Sequence, residues 1–210
     1  MIRTRIVELV LMGQDAMAVD KNIYSIPNLL SLLRLALVPV LAVAACLNEA
    51  KLFLLLLGIS LVSDMLDGYF ARKLHQVTEF GARLDSWADM ATYAMMILGL
   101  NLIWPVIFEQ QLIYLVAATL SYILPVIVAL IRFSSFPSYH TWGAKLAAVL
   151  IAPAFYLLIL YDEQAFFRLV IILHVVVAVE EIAITFKLKQ PRTNVASILT
   201  ILSSSDHKSS

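Results

Sequence analysis

The chain has 210 residues, of which 61% are hydrophobic and only 14% charged, with 15 basic and 15 acidic side chains and no net charge. Soluble domains average about 45–50% apolar and about 25% charged residues, so this composition, with a mean hydropathy of +0.89, describes an integral membrane protein. Zero net charge argues against nucleic acid as a partner, and a lone cysteine, Cys46, excludes an intrachain disulfide and a thiolate metal site.

Residues 1–26 begin with MIRTRIVELVLM, in which Ile2, Ile6, Leu9 and Val10 recur at helical spacing. Ala16-Met17-Ala18 has the form of a cleavage site, but the apolar core before it is short and broken by Glu8. The pattern therefore predicts an interfacial helix on the cytoplasmic leaflet. Beyond it, six apolar stretches are each long enough to cross a bilayer, at about 28–48, 52–72, 84–104, 111–132, 143–161 and 165–187. Short connections (Asn48 to Lys51, Tyr161 to Gln164) join them into one antiparallel domain over residues 27–189. The fold class expected is an all-α membrane protein, a six-transmembrane-helix bundle preceded by the interfacial helix. Residues 190–210 form a cytoplasmic tail, disordered in part, ending in SSSDHKSS.

In the first span Asn28 is placed to cap the helix, and Arg34 either snorkels to the basic side or points inward at phosphate. Pro39, Pro125 and Pro153 lie inside spans one, four and five and are expected to kink them. Cys46 and His174 read as packing residues, and Trp87, Trp104 and Trp142, near span ends, as interfacial anchors. His140 lies in the loop between spans four and five, and Glu180 and Glu181 near the end of span six. With both termini on one side, that side collects Arg3, Arg5, Lys21, Arg72, Lys73, Arg83, Arg132 and Lys145 with the tail lysines, against Lys51 and Arg168 opposite. The positive-inside rule then puts both termini in the cytoplasm.

The chemistry concentrates where spans two and three meet. Asp64 and Asp67 stand three apart and Asp85 and Asp89 four apart, so each pair projects from one helical face. An uncompensated carboxylate in a spanning helix costs about 2.5–3.5 kcal/mol or more. A cation must hold four of them, and a pair of divalent metals is the simplest candidate. Oxygen-only ligands select Mg²⁺ or Mn²⁺. Gly68 and Gly81 allow a ligand close to the backbone, and Arg72 suits phosphate. Together these groups describe a phosphoryl-transfer site. Two other readings use the same residues: packing ion pairs to Arg72, Lys73 and Arg83, or an ion-coupled transport pathway.

The pattern Asp64-x-x-Asp67-Gly68-x-x-Ala71-Arg72, eight residues, Gly81-x-x-x-Asp85-x-x-x-Asp89 resembles in full the motif of the CDP-alcohol phosphatidyltransferases. The stretch PNLLSLLRLALVP, from Pro27 to Pro39, is similar to that family's first span, with Ser31 where threonine is usual. The resemblance implies six spanning helices, a homodimer among membrane lipids, and transfer of phosphatidyl from CDP-diacylglycerol to a small polar alcohol with release of CMP. It implies metal binding by Asp64, Asp67, Asp85 and Asp89, with Asp89 also taking the acceptor's proton. Gly68, Ala71 and Gly81 would line the cytidine pocket, with Asn28 near the nucleotide and Arg72 on phosphate. Arg132 and Lys145 flank the loop FSSFPSYHTWGA and suit an acceptor bearing its own phosphate.

The first expectation for the product is therefore that of a phosphatidylglycerophosphate synthase. The Gly-Lys-x-Lys-Thr pattern of those synthases is missing around Lys145, Met90 rather than an Ala-Asp-Lys sequence follows Asp89, and Asp85-Ser86 resembles the phosphatidylserine-synthase branch. Serine, inositol phosphate, phosphatidylglycerol, or an aminoalcohol branch using CDP-choline or CDP-ethanolamine are the alternative chemistries.

Overall fold

The computed structural model of the chain describes residues 25–74, 78–133 and 141–188. These residues form six α-helices and no strand: α1 (Ile26–Cys46), α2 (Ala50–Lys73), α3 (Glu79–Ile103), α4 (Pro105–Phe133), α5 (Trp142–Tyr161) and α6 (Gln164–Lys187). The expected interfacial helix, apart from its last two residues, and the tail at 190–210 lie outside the described residues. Helices α1, α2, α4, α5 and α6 are long and apolar enough to cross a membrane, and the protein is an integral membrane protein on that ground. Helix α3, at 25 residues, has the length. Its apolar character is diluted by Arg83, Asp85, Asp89, Thr92 and Asn101.

All six helices begin before the apolar runs expected for them, two of them by about a turn or more. Thr78 caps α3, its Oγ1 accepting the Gly81 N–H at 3.0 Å, so the helix starts at Glu79 rather than near 84. Pro105 opens α4, where a missing N–H costs nothing, ahead of the run expected from 111. The three prolines inside α1, α4 and α5 are accommodated without ending those helices.

The chain divides into two units, Met1–Glu109 and Gln110–Ser210. In the first, α1 packs along both α2 and α3, which touch each other far less. The α1–α2 turn is closed by Asn48 in the left-handed region (φ 58°). The Asn48 and Glu49 N–H groups return to the carbonyls of Ala45 and Ala44, satisfying the end of α1. Leu41, Ala44 and Ala45 of α1 meet Phe53 and Leu57 of α2 in a fully buried core. Phe53 lies against Gly99 of α3, where a Cβ would sit 2.2 Å from its ring, and stacks edge-on with Trp104 at 6.2 Å. Ser60 and Thr92 share a buried hydrogen bond (3.2 Å) between α2 and α3.

In the second unit α5 packs on α6. Gly143 allows the approach, since a Cβ there would meet Val177 at 2.9 Å. Buried Gln111 accepts from Arg168 Nε (3.0 Å) and donates to Gln164 (3.1 Å), while Arg168 lies over the Tyr114 ring. This polar knot satisfies groups that an apolar interior would leave unpaired. His174 contacts the Val170 carbonyl at 2.9 Å.

Candidate active site

A charged side chain fully inside a membrane protein needs partners for every N–H it carries. Arg34, on α1, is 1% exposed and finds partners for its two Nη groups on the two neighbouring helices. Nη1 donates to Asp64 Oδ1 (2.8 Å) and Asp89 Oδ1 (2.5 Å), and Nη2 donates to Asp67 Oδ2 (2.5 Å) and Asp85 Oδ1. All four Nη hydrogens are used, one per aspartate, while Nε is buried with no acceptor among the described residues. The four motif aspartates, from α2 and α3, thus converge on one point. One turn earlier on α1, Ser31 Oγ donates to Asp67 Oδ2 (3.2 Å) or to the Pro27 carbonyl (3.3 Å).

The cluster is closed on one side and open on the other. The Asp67 side chain is 6% exposed, whereas those of Asp85, Asp64 and Asp89 are 41%, 45% and 49% exposed. A ligand therefore reaches the carboxylates from the Asp64, Asp85 and Asp89 side, with Arg34 at the floor. One guanidinium against four carboxylates leaves a formal excess of three negative charges when all four are ionised.

That excess and the donor set fit a hard divalent cation. Asp64, Asp67 and Asp85 each offer an oxygen lying within 4.8 Å of the others. The ion pairs to Arg72, Lys73 and Arg83 that the alternative packing reading requires do not form among the described residues; every ion pair of the four aspartates there is to Arg34.

Asn28 does not cap α1. Ser25 does, its Oγ accepting the Asn28 N–H at 3.4 Å, and Asn28 is buried against α3. A Cβ on Gly81 would lie 2.6 Å from Asn28 Oδ1 and 3.0 Å from Thr78 Oγ1, so this glycine is what lets α1 and α3 approach. Gly68 faces the guanidinium of Arg72, 3.6 Å from where its Cβ would be, and Ala71 is half-buried. Lys73 donates to Tyr69 Oη (3.1 Å).

Arg132 and Lys145 belong to the second unit. Arg132 donates to the Phe186 and Leu188 carbonyls (3.0 and 3.3 Å) at the end of α6 and lies over the Phe186 ring. Lys145 lies over the Trp142 ring at 5.3 Å. His140 is outside the described residues, and Glu180 and Glu181 are half-buried.

Of the two orientations open to Arg34 the inward one is adopted, toward the aspartates, and Ser31 joins the motif through Asp67. The available signal was Asn28, Ser31 and Arg34 at three-residue intervals, a polar arc on an otherwise apolar span.

Five helices long and apolar enough to cross a bilayer, with an all-oxygen cluster shared between α2 and α3, define a membrane protein with a candidate metal centre. Residues 24–186 match the sequence model for CDP-alcohol phosphatidyltransferase, and the chain belongs to that family. Among its curated relatives is the CDP-diacylglycerol--glycerol-3-phosphate 3-phosphatidyltransferase of Rickettsia felis, 40% identical over 76 residues (35% of this chain, 40% of the relative). The enzyme of that name from Aquifex aeolicus is 50% identical over 66 residues (31% and 36%). The CDP-diacylglycerol--inositol 3-phosphatidyltransferase of Candida albicans is 36% identical over 92 residues (43% and 40%). The chain spans about two fifths of the length of these relatives. No solved structure matches it.

Proposed function

We propose that the protein transfers a phosphatidyl group from CDP-diacylglycerol to a small alcohol and releases CMP. Glycerol 3-phosphate is the acceptor the reading favours, with phosphatidylglycerophosphate as product. The observation that carries it is the convergence of the four motif aspartates on one point, open on the Asp89 side, in a chain of this family. Relatives named for glycerol 3-phosphate support the acceptor, and an inositol relative keeps a second acceptor chemistry in view.

In this reading Asp64, Asp67, Asp85 and Asp89 hold two divalent cations, Mg²⁺ or Mn²⁺. Bound there, the ions would neutralise the diphosphate and stabilise the departing CMP. Asp89 has a half-exposed carboxylate and takes the acceptor's hydroxyl proton as that oxygen bonds to the phosphatidyl phosphorus and the bond to CMP breaks. Arg72 contacts phosphate, and Gly68, Ala71 and Gly81 line the cytidine pocket with Asn28 beside it. Assigning Arg132 and Lys145 to the acceptor's phosphate rests on sequence alone. Six spanning helices, including α3, cytoplasmic termini and a homodimer complete the proposal. A site at the leaflet boundary leaves acyl chains in lipid while cytidine and a polar acceptor arrive from water.

The test is an acceptor panel: purified protein, labelled CDP-diacylglycerol, and each candidate alcohol in turn, with lipid products resolved. CMP release with glycerol 3-phosphate is expected, lost in EDTA and restored by Mg²⁺ or Mn²⁺. Turnover with inositol phosphate or serine alone would move the acceptor, and turnover in EDTA would remove the metal role.

A further inference from the structure

Arg34 is unlike the other cations near the site. It sits on α1, outside the aspartate motif, and is 1% exposed, so its charge is not shared with water. Its Nη hydrogens are distributed one to each carboxylate, drawing two helices onto a third. That position is held although Nε is left without an acceptor. Packing alone would be served by one or two ion pairs.

We propose that Arg34 is the resident counter-cation of the four-carboxylate site. It keeps Asp64, Asp67, Asp85 and Asp89 converged when no divalent ion is bound, and it opposes the ions for the same oxygens. The inference rests on the metal reading above and goes beyond it, because it assigns to this arginine the affinity of the site.

Charge arithmetic gives the consequence. Four ionised carboxylates with Arg34 carry a formal excess of three negative charges. Two divalent ions would overshoot that by one. Like charges within a few ångströms in a poorly screened interior repel strongly, so Arg34 weakens the second ion until an anionic ligand arrives. A diphosphate supplies that charge. Loading of the ions and of the nucleotide lipid is therefore coupled, and each favours the other by the same factor.

The test uses the full chain in lipid nanodiscs and Mn²⁺ as the probe, with free and bound ion read by electron paramagnetic resonance, no substrate present. Arg34→Gln removes the charge and keeps a hydrogen-bond donor; Arg34→Lys keeps the charge. Arg34→Gln is expected to bind Mn²⁺ about tenfold more tightly, with a lower melting temperature in EDTA and a larger Mn²⁺-induced rise. Arg34→Lys should stay within about threefold of wild type. Recovery of folded Arg34→Gln only when Mn²⁺ is present throughout purification would also support the proposal, since the ion would be replacing the lost cation. Unchanged or weaker Mn²⁺ binding by Arg34→Gln overturns it, as does a variant that cannot be recovered even with Mn²⁺. If wild type itself binds no Mn²⁺, the metal reading falls and this inference with it. Equal binding by wild type and Arg34→Gln sinks the inference alone.

Discussion

Ser31 and Asp89 touch the same cluster from opposite sides, and their loss is expected to differ in kind. Ser31 Oγ lies 3.2 Å from Asp67 Oδ2 on the closed side, where Asp67 still keeps Arg34 as a partner. Ser31→Ala should therefore cost about 1 kcal/mol of stability and less than about tenfold in turnover. Asp89→Asn removes the proposed proton acceptor and should lower turnover by about 10²–10⁴-fold, with membrane insertion unaffected. Comparing CMP release with melting temperature for the two variants checks both, and retained turnover in Asp89→Asn would remove the base assignment. The aspartates were legible because spacings of three and four fix a shared helical face. The partner of Asp64 was not. The polar arc of Asn28, Ser31 and Arg34 marks one face of an otherwise apolar span, but the string does not say which helices that face meets. Gly81 was legible as a special position, but the Asn28 amide against it requires knowing that α1 and α3 are neighbours.

Helix α1 contributes none of the motif aspartates and nevertheless determines how α2 and α3 meet. It touches both along their length, so the motif helices are held by a third body. Where α2 and α3 do approach directly, Phe53 fills the notch left by Gly99. Gly99→Ala should destabilise the protein by about 1–3 kcal/mol through overpacking, and Phe53→Leu in the same chain should restore part of the loss. Melting curves in nanodiscs decide it; additive losses in the double variant would show that the two residues do not share that space. The spans themselves could be read from apolar runs, because a bilayer demands a nearly fixed length of them. Their ends could not, because Thr78 and Pro105 start helices by backbone chemistry outside the apolar stretch.

For the whole molecule, the distribution of Lys and Arg predicts both termini in the cytoplasm. A membrane-impermeant maleimide tests this. In the Cys46→Ser background, Ser209→Cys should react only after the membrane is opened, while native Cys46, which ends α1 and is exposed rather than packed as the sequence suggested, should react from outside. The reverse pattern would invert the topology and move the aspartate cluster to the other leaflet. That the chain belongs in a membrane followed from composition, since 61% hydrophobic residues leave few soluble alternatives, and its helices followed from the lengths of the apolar runs. Acceptor choice did not follow, because the cations proposed for it, Arg132 and Lys145, lie in a separate unit from the motif and carry no fixed spacing to it.

The dependence of Arg34 on residues far along the chain also bears on how the protein is made. Asp64 is 30 positions downstream of it and Asp89 is 55. At about 5–20 residues per second, the ribosome needs roughly 3–11 s after Arg34 to deliver the last of its partners. During that interval α1 offers the bilayer a bare guanidinium, against an insertion penalty of about 2.5–3.5 kcal/mol. Helix α1 is therefore expected to settle only when α2 and α3 emerge behind it, so that the three helices enter the lipid as a cohort rather than in single file.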